Sequence, residues 1–134
     1  MDTVSRDKLK KHGIKRFFKS FNYALDGLKY AFKYEQNILF NTLAMIVAIA
    51  AGIFFKISVT EWLILFLIIG LVIATELINT SIEATIDLIT DKVHPLAKVA
   101  KDTAAAAVLI FGFTAIIIAI IIFVPKILLL FGLI

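Results

Sequence analysis

Four polar side chains interrupt the end of a long apolar run. The segment ELINTSIEATID, residues 76–87, follows the run WLILFLIIGLVIAT and carries Glu76, Asn79, Glu83 and Asp87. On a helix that turns about 100° per residue, the four side chains lie on one stripe that is roughly 16 Å long. A charged side chain within a bilayer is costly and usually faces a protein interior or a cavity, so this acidic stripe indicates a functional site.

The residue types suit metal-assisted phosphoryl chemistry. Carboxylate oxygens bind Mg²⁺, which keeps positions open for water or phosphate, and a carboxylate can also act as a general base. After a short loop, Lys98, Lys101 and Asp102 follow at positions i, i+3 and i+4. Ammonium groups near a metal neutralise the charge that develops in phosphoryl transfer. Glu35 precedes the first apolar run and is predicted to lie at the depth of the stripe.

Plainer interpretations exist for each of these residues. The stripe can be a solvated extension of the helix that pairs with Lys101, and Lys98 and Lys101 can anchor a helix at the membrane interface. Glu35 on its own is typical of an exposed helix end. Glu76 is the hardest to explain in this way, because apolar sequence continues on both sides of it.

Composition indicates an integral membrane protein. Hydrophobic residues make up 61% of the 134 residues and charged residues 18%, whereas a soluble domain is usually about 45–50% apolar. Without cysteine, the chain has no disulfide framework. A soluble-type nucleotide fold is excluded, because the sequence has neither a GxxxxGK nor a GxGxxG loop and no strand pattern to carry one. No cleaved signal peptide is expected.

The apolar pattern predicts an all-α membrane fold with one surface helix and three transmembrane helices in a single domain. Residues 1–15 are polar and basic and are predicted to form a flexible tail. Residues 16–37 repeat apolar side chains every three or four positions, which is typical of an amphipathic helix in the membrane interface. Three apolar segments, long enough to cross about 30 Å of hydrocarbon, are predicted at 38–55, 62–89 and 97–124.

Turn residues separate the predicted spans. KISVTE is a short turn that is followed by Trp62 as an interfacial anchor. The loop TDKVHPLAK contains Pro95, which favours a break. Pro125 and Lys126 are predicted to end the third span, and the remaining ILLLFGLI is too short to cross the membrane again.

Basic residues predict the orientation. Lys and Arg number nine in residues 1–37 and three in residues 90–103, whereas Lys56 and Lys126 stand alone at the opposite side. The positive-inside rule therefore predicts that the N-terminus and the second loop face the cytoplasm from the cell membrane. The net charge of +4 suits anionic lipid headgroups. No nucleic-acid partner is expected, because the basic residues adjoin membrane spans.

Three segments carry a resemblance to a known family. They are EQN at 35–37, ELINTSIEATIDL at 76–88 and HPLAKVAKDTAAAAVL at 94–109. They resemble the small prokaryotic diacylglycerol kinase family, in particular its Gram-positive branch, the undecaprenol kinases. The resemblance runs from about Gly13 to Pro125, and the pattern ExxNTxIExxxD followed by AKD is a specific signature.

That resemblance implies a homotrimer with active sites at subunit interfaces on the cytoplasmic side. It also implies Mg²⁺-dependent transfer of the ATP γ-phosphate to a lipid alcohol. By position it implies that Glu76 is the catalytic base for the lipid hydroxyl, and that Glu35 and Glu83 are metal ligands. The positions that it assigns to the nucleotide site are Arg16, Lys19, Tyr23, Asn79, Asp87, Lys101 and Asp102.

The sequence leaves two lipid alcohols possible as the acceptor of the phosphate. HPLAK, NYALDGLKYAFK and TEWLI favour undecaprenol. Gln36, Leu39 and Asn41 stand where that branch often carries basic residues and a histidine, so contacts to the lipid headgroup differ and diacylglycerol is the alternative acceptor.

Two alternative hypotheses assign the protein to functional classes other than enzymes. In a small oligomeric channel, Glu76 would face a pore, but a pore has no need of Glu83, Lys101 and Asp102 at its inner face. A membrane-bound scaffold predicts that Glu76→Gln leaves function unchanged.

Overall fold

The part of the chain that the structure describes is built from four helices. The computed structural model describes residues 14–133, with side chains from residue 17 onward, so residues 1–13 of the predicted tail lie outside it. The helices are α1 (Ile14–Tyr34), α2 (Gln36–Phe54), α3 (Val59–Ile89) and α4 (Pro95–Leu130). Of these, α2, α3 and α4 are long and apolar enough to cross a membrane. The predicted all-α class, with an N-terminal helix and three membrane helices, is confirmed.

The first helix forms a compact unit separate from the rest of the chain. It ends at Tyr34, three residues before the predicted bound at residue 37. The reason is the backbone of Glu35, which is extended (φ −103°, ψ 111°) and serves as the N-cap of α2. Because an extended residue cannot continue a helix, the chain starts a new one at Gln36.

A capping box starts α3 at Val59, three residues before the predicted bound at residue 62. The backbone N–H of Glu61 donates to Ser58 Oγ at 3.3 Å, and the N–H of Ser58 donates to Glu61 Oε2 at 2.7 Å. These two bonds satisfy donors that a helix start otherwise leaves unpaired. The S-x-x-E pattern in KISVTE is therefore a helix start within the predicted turn.

The last helix begins at Pro95, with His94 as its N-cap. His94 Nδ1 accepts a hydrogen bond from the Leu96 N–H at 3.2 Å. Proline suits the first position of a helix, because the N–H that it lacks would have no partner there. Pro95 therefore marks the break between α3 and α4, as predicted, and also belongs to α4.

Pro125 does not end the last helix, which corrects the predicted bound at residue 124. The helix continues through it to Leu130. Proline removes one backbone hydrogen bond, but membrane helices tolerate this loss where neighbouring groups support the segment. Here Lys126 Nζ lies 2.5 Å from Glu61 Oε1, and this ion pair holds the segment that follows the proline against α3.

The packed core lies between α3 and its two neighbours. α3 packs along much of α4 and along a shorter stretch of α2. Gly52 permits the closest approach of α2, since a Cβ there would stand 2.8 Å from the Trp62 ring. The core residues cluster toward the α2–α3 link, and they are Ile57, Leu65, Ile68, Val72, Ile122 and Phe123.

Antiparallel packing brings the start of α2, the end of α3 and the start of α4 to one end of this three-helix unit, which we call the polar end. Contacts in this half include Asn41 with Glu76 and Asp87 with Lys101. The Glu61–Lys126 ion pair lies at the opposite end. The polar end therefore carries the acidic stripe and the loop between α3 and α4.

Candidate active site

Glu76 is a buried carboxylate with a partner on another helix. Its side chain is 3% exposed, and Asn41 Nδ2 on α2 donates a hydrogen bond to its Oε1 at 2.7 Å. A buried carboxylate is costly unless donors compensate for lost water. The Asn41 amide supplies one such donor and holds the Glu76 side chain in a defined orientation.

One turn further along α3, Asn79 presents an oxygen that has no partner among the residues that the structure describes. The residue is 7% exposed, and its Nδ2 donates to Glu83 Oε1 at 2.8 Å. Its Oδ1 is buried and accepts no hydrogen bond from the described residues. An acceptor left unpaired in this way costs about 1–3 kcal/mol, so the atom is suited to a donor or cation from a ligand.

Two further carboxylates lie near Glu76. Those of Glu35 and Glu83 are close enough to interact electrostatically with it. Glu35 caps α2 through its backbone only, without a side-chain capping bond. Since its carboxylate has no capping bond to hold it, this side chain can serve a ligand instead.

The donor set at this position fits Mg²⁺. Among the described residues, no three His, Asp or Glu side chains group closely enough to hold a metal by themselves. Mg²⁺ needs fewer, because it is typically held by one or two carboxylates together with substrate phosphates and water. Glu35 and Glu83, which each lie near Glu76, supply that number of carboxylates, and the unpaired Asn79 Oδ1 belongs to the amide that donates to Glu83.

A second polar cluster lies where α3 meets α4. Lys101 Nζ is 2.5 Å from Asp87 Oδ1, and Lys98 forms an ion pair with Asp102 one helical turn away. A cavity of about 290 Å³ opens here, and its lining includes these four residues together with Lys92. Asp91 also lines the cavity, so three ammonium groups and three carboxylates surround it, and an anionic ligand such as a polyphosphate would compete with the aspartates for the lysines.

An apolar groove between α2, α3 and α4 ends at the buried carboxylate. Its volume is about 490 Å³. The polar side chains in its lining are Asn37, Asn41 and Glu76, and the rest of the lining is apolar. The groove therefore has the polarity of an amphiphile, with a hydrocarbon body and one polar end.

The structure brings most of the predicted site residues into these two clusters. Glu35, Glu76, Asn79 and Glu83 form the first, and Asp87, Lys101 and Asp102 belong to the second. Both clusters are at the polar end. Each residue's role in catalysis or binding is still a prediction.

The predicted nucleotide residues on α1 form a separate group. Lys19 Nζ lies over the Tyr23 ring, 5.9 Å from its centroid. Arg16 is part of α1, but its side chain lies outside the described side chains. Since α1 is a unit of its own, Lys19 and Tyr23 are described only within it.

The prediction of site residues missed Asn37 and Asn41. Both line the groove, and Asn41 contacts Glu76 directly. A sequence signal was present, since Asn37, Asn41, Ala44 and Ala48 follow one another at intervals of three or four along α2. Small or polar residues on one face of an otherwise bulky apolar helix indicate a surface that permits close approach of another group, and here that face lines the groove.

Known proteins are similar in sequence to this chain over the segments that carry both clusters. Residues 22–123 match the family described as prokaryotic diacylglycerol kinase. An undecaprenol kinase of Bacillus subtilis is 47% identical over 113 residues, which cover 84% of this chain and 92% of the relative. A diacylglycerol kinase of Helicobacter pylori is 40% identical over 101 residues, covering 75% and 79%. One of Escherichia coli K12 is 32% identical over 109 residues, covering 81% and 86%.

Proposed function

The chain belongs to the prokaryotic diacylglycerol kinase family, as its motifs predicted, and from this premise we propose that it phosphorylates undecaprenol with Mg²⁺ and ATP. The observation that carries the proposal is the buried Glu76, held by Asn41 at the polar end of an apolar groove. A lipid alcohol must bring its hydroxyl to a base while its chain stays in apolar surroundings. The groove meets both requirements.

The choice of undecaprenol rests on similarity. The relative named as an undecaprenol kinase is 47% identical to this chain, against 40% and 32% for the two diacylglycerol kinases. Diacylglycerol is the second candidate, because several relatives carry that name. Asn41 is a further reason to retain diacylglycerol as a candidate acceptor, because it places an amide where basic residues are expected in the undecaprenol branch.

In the proposed reaction, Glu76 is the general base. Its carboxylate takes the proton of the lipid hydroxyl as that oxygen attacks the γ-phosphorus of ATP in line. The bond from the γ-phosphorus to the bridging oxygen breaks, and ADP leaves with the electron pair. Asn41 keeps one carboxylate oxygen engaged, which leaves the other for the hydroxyl proton. Catalysis by this chain then consists mainly of positioning and charge compensation.

Glu35 and Glu83 are proposed to hold Mg²⁺, with Asn79 Oδ1 facing the same region. The bound ion neutralises phosphate charge and orients the γ-phosphate. Asn79 donates to Glu83 and so holds that carboxylate in place. Two carboxylates leave coordination positions for phosphate oxygens, as Mg²⁺ sites in kinases require.

The second cluster is proposed as the phosphate side of the nucleotide site. Lys101 pairs with Asp87, and Asp102 pairs with Lys98, so both charged residues of the AKD motif form ion pairs in the cavity wall. Arg16, Lys19, Tyr23 and Asn79 complete the proposed nucleotide residues. The Lys101 ammonium offsets the negative charge of the transferred group.

The assembly and its orientation are also part of the proposal. We expect a homotrimer in the cell membrane, with the polar end in the cytoplasm, where ATP is present. Twelve of the 14 basic residues fall in residues 1–37 and 90–103, which supports this orientation. Native mass spectrometry from detergent should give three copies per particle, and a monomer would contradict the shared-site arrangement.

Transfer of labelled γ-phosphate tests the function. Mixed micelles would contain undecaprenol and diacylglycerol at equal mole fraction, with Mg·ATP as donor. We expect undecaprenol to be labelled faster. Faster labelling of diacylglycerol would favour the second candidate, and labelling of neither lipid would reject the kinase proposal and favour the channel hypothesis.

A further inference from the structure

A buried threonine lies on the acidic stripe between the proposed base and a proposed metal ligand. Thr80 follows Glu76 by four residues and precedes Glu83 by three. On a regular helix its side chain therefore points about 40° from that of Glu76 and about 60° from that of Glu83. Thr80 is 7% exposed, and it joins Glu76 and Asn79 as a buried polar residue in the part of the chain that the structure describes. None of the roles proposed above uses its hydroxyl.

The Thr80 hydroxyl is bonded to the backbone of the proposed base. Thr80 Oγ1 donates a hydrogen bond to the carbonyl oxygen of Glu76 at 3.0 Å. In a helix the same carbonyl accepts the backbone N–H four residues later, so two donors of Thr80 hold the turn that carries Glu76. A threonine in a helix is divided between two side-chain rotamers, and the bond to the carbonyl selects one of them.

The residue next to Thr80 makes a second bond, which runs toward the proposed metal site. Asn79 Nδ2 donates to Glu83 Oε1 at 2.8 Å. Adjacent residues thus bond in opposite directions along the helix, Thr80 back to the backbone of Glu76 and Asn79 forward to the carboxylate of Glu83. The turn that carries the proposed base and the turn that carries the proposed metal ligand are therefore tied together where they meet.

Burial distinguishes Thr80 from the other threonines that make the same kind of bond. Threonine hydroxyls also donate to a carbonyl four residues earlier at Thr42, Thr75, Thr85, Thr103 and Thr114. Those five residues are exposed or half-buried, whereas Thr80 is buried. Water can replace such a bond at an exposed site, but a buried hydroxyl is costly unless the protein supplies a partner. Valine has nearly the same shape without that cost, so packing alone does not account for a threonine here.

We propose that Thr80 is a positioning residue, whose hydroxyl fixes the turn from Glu76 to Thr80 and with it the distance between the base and the Mg²⁺ site. The inference rests on the proposed function, since it concerns the base and the metal ligands assigned there. The base must reach the lipid hydroxyl while the metal holds the γ-phosphate, and a misplacement of about 1 Å between reacting groups costs about 10²-fold in rate. In this role Thr80 contacts no substrate and acts through the backbone of Glu76.

The test removes the hydroxyl and keeps the shape of the side chain. Thr80→Val does this, Thr80→Ser keeps the hydroxyl and removes the methyl group, and Thr85→Val is the matched control. Thr85 Oγ1 makes the same bond to the Ser81 carbonyl at 2.7 Å, but at an exposed site on the same helix. Full-length proteins in mixed micelles would be assayed with Mg·ATP and the lipid alcohol that the wild-type protein labels faster. We expect Thr80→Val to lower kcat about tenfold without change in either KM, and Thr80→Ser and Thr85→Val to keep the wild-type kcat.

Stability separates positioning from a general structural role. Valine suits buried apolar surroundings, and the Glu76 carbonyl keeps its backbone partner in the variant. We therefore expect Thr80→Val to resist unfolding by sodium dodecyl sulfate at least as well as the wild-type protein. Three outcomes would overturn the proposal: a wild-type kcat in Thr80→Val, an equal loss of kcat in Thr80→Ser, which would assign the effect to the methyl group, or a loss of kcat in Thr80→Val that accompanies a loss of stability.

Hydrogen exchange provides a readout that needs no turnover. Exchange of the backbone amides of residues 76–84 would be followed by mass spectrometry, because this segment contains the turn that the Thr80 hydroxyl holds. We expect exchange there to be several-fold faster in Thr80→Val than in the wild-type protein, and unchanged in Thr80→Ser and Thr85→Val. Wild-type exchange in Thr80→Val would overturn the inference. If the wild-type protein phosphorylates no lipid alcohol, the proposed function fails, while hydrogen exchange still decides whether Thr80 fixes this turn.

Discussion

In the proposed function, individual side chains of the first cluster divide the work between a base and a metal site. Glu76 is buried and accepts a hydrogen bond from Asn41, whereas Glu83 accepts one from Asn79. Each carboxylate therefore has one amide that orients it. This pairing separates two chemically identical groups that lie seven residues apart on one helix, and it leads to different predictions for the two.

Substitution of the proposed base should remove turnover but keep nucleotide binding. Glu76→Gln retains an acceptor for Asn41 and removes the basic oxygen, so we expect kcat to fall by about 10²–10⁴-fold. Binding of Mg·ATP, measured by isothermal titration calorimetry, should be nearly unchanged. Glu61→Gln serves as the control, because Glu61 lies at the opposite end of the same helix. Wild-type rates in Glu76→Gln would exclude Glu76 as the base.

Substitution of the proposed metal ligand should change the Mg²⁺ requirement. For Glu83→Ala we expect the half-saturating Mg²⁺ concentration at fixed ATP to rise by at least about tenfold. Mutation of a residue that only supports a metal ligand already lowers metal affinity by about that factor. Glu83→Gln keeps an acceptor for Asn79 but removes the charge. If Glu83 binds the metal, both variants should shift the titration. Recovery by glutamine would instead assign Glu83 a purely structural role.

At the scale of helices, α2 and α3 are joined by a close contact next to their link. Gly52 on α2 stands against the Trp62 ring, and Trp62 in turn stacks on Phe66 at a centroid distance of 5.3 Å. Within this link, Lys56 has a positive φ of 50°. The tight turn and the glycine together allow α2 to approach α3 closely next to their link.

A methyl group at Gly52 should weaken this contact. For Gly52→Ala we expect a loss of about 1–3 kcal/mol of unfolding free energy, because the Trp62 ring must move away from its packed position. Gly70→Ala should be neutral or gain up to about 1 kcal/mol, since alanine favours helix and the site is open. Unfolding by sodium dodecyl sulfate in mixed micelles measures both. Equal stability of the two variants would contradict the close approach.

At the scale of the whole molecule, one end of the three-helix unit holds the two polar clusters, and the packed core lies toward the other end. The polar end carries both clusters, while the buried apolar residues gather near the α2–α3 link. The groove extends from Glu76 at the polar end to Leu65, Ile68 and Val72 of the core. The division between the two ends also predicts that the two links lie on opposite sides of the membrane.

Cysteine labelling tests that arrangement, and the chain has no cysteine of its own to interfere. Asp91→Cys marks the α3–α4 link, and Val59→Cys marks the start of α3. A membrane-impermeant maleimide applied to intact cells should label Val59→Cys, while Asp91→Cys should react only after permeabilisation. The reverse pattern would place the nucleotide cluster outside the cell and contradict the proposed orientation.

Several features of this protein were determined by sequence alone because they depend on local patterns. Hydropathy over about 20 residues identifies a membrane helix, and it predicted all three. Helical periodicity placed Glu76, Asn79, Glu83 and Asp87 on one stripe. The family followed from motifs within α3 and at the start of α4, and the similarity to known kinases confirmed it.

Tertiary structure alone decided the contacts between helices. Asn41 meets Glu76 across 35 positions of sequence, and Lys126 meets Glu61 across 65. Pro125, next to Lys126, lies within a helix and does not end one. The groove likewise exists only because three helices pack at a particular register. Distances between residues on different helices depend on packing angle and register, and no local pattern of residues encodes either of these.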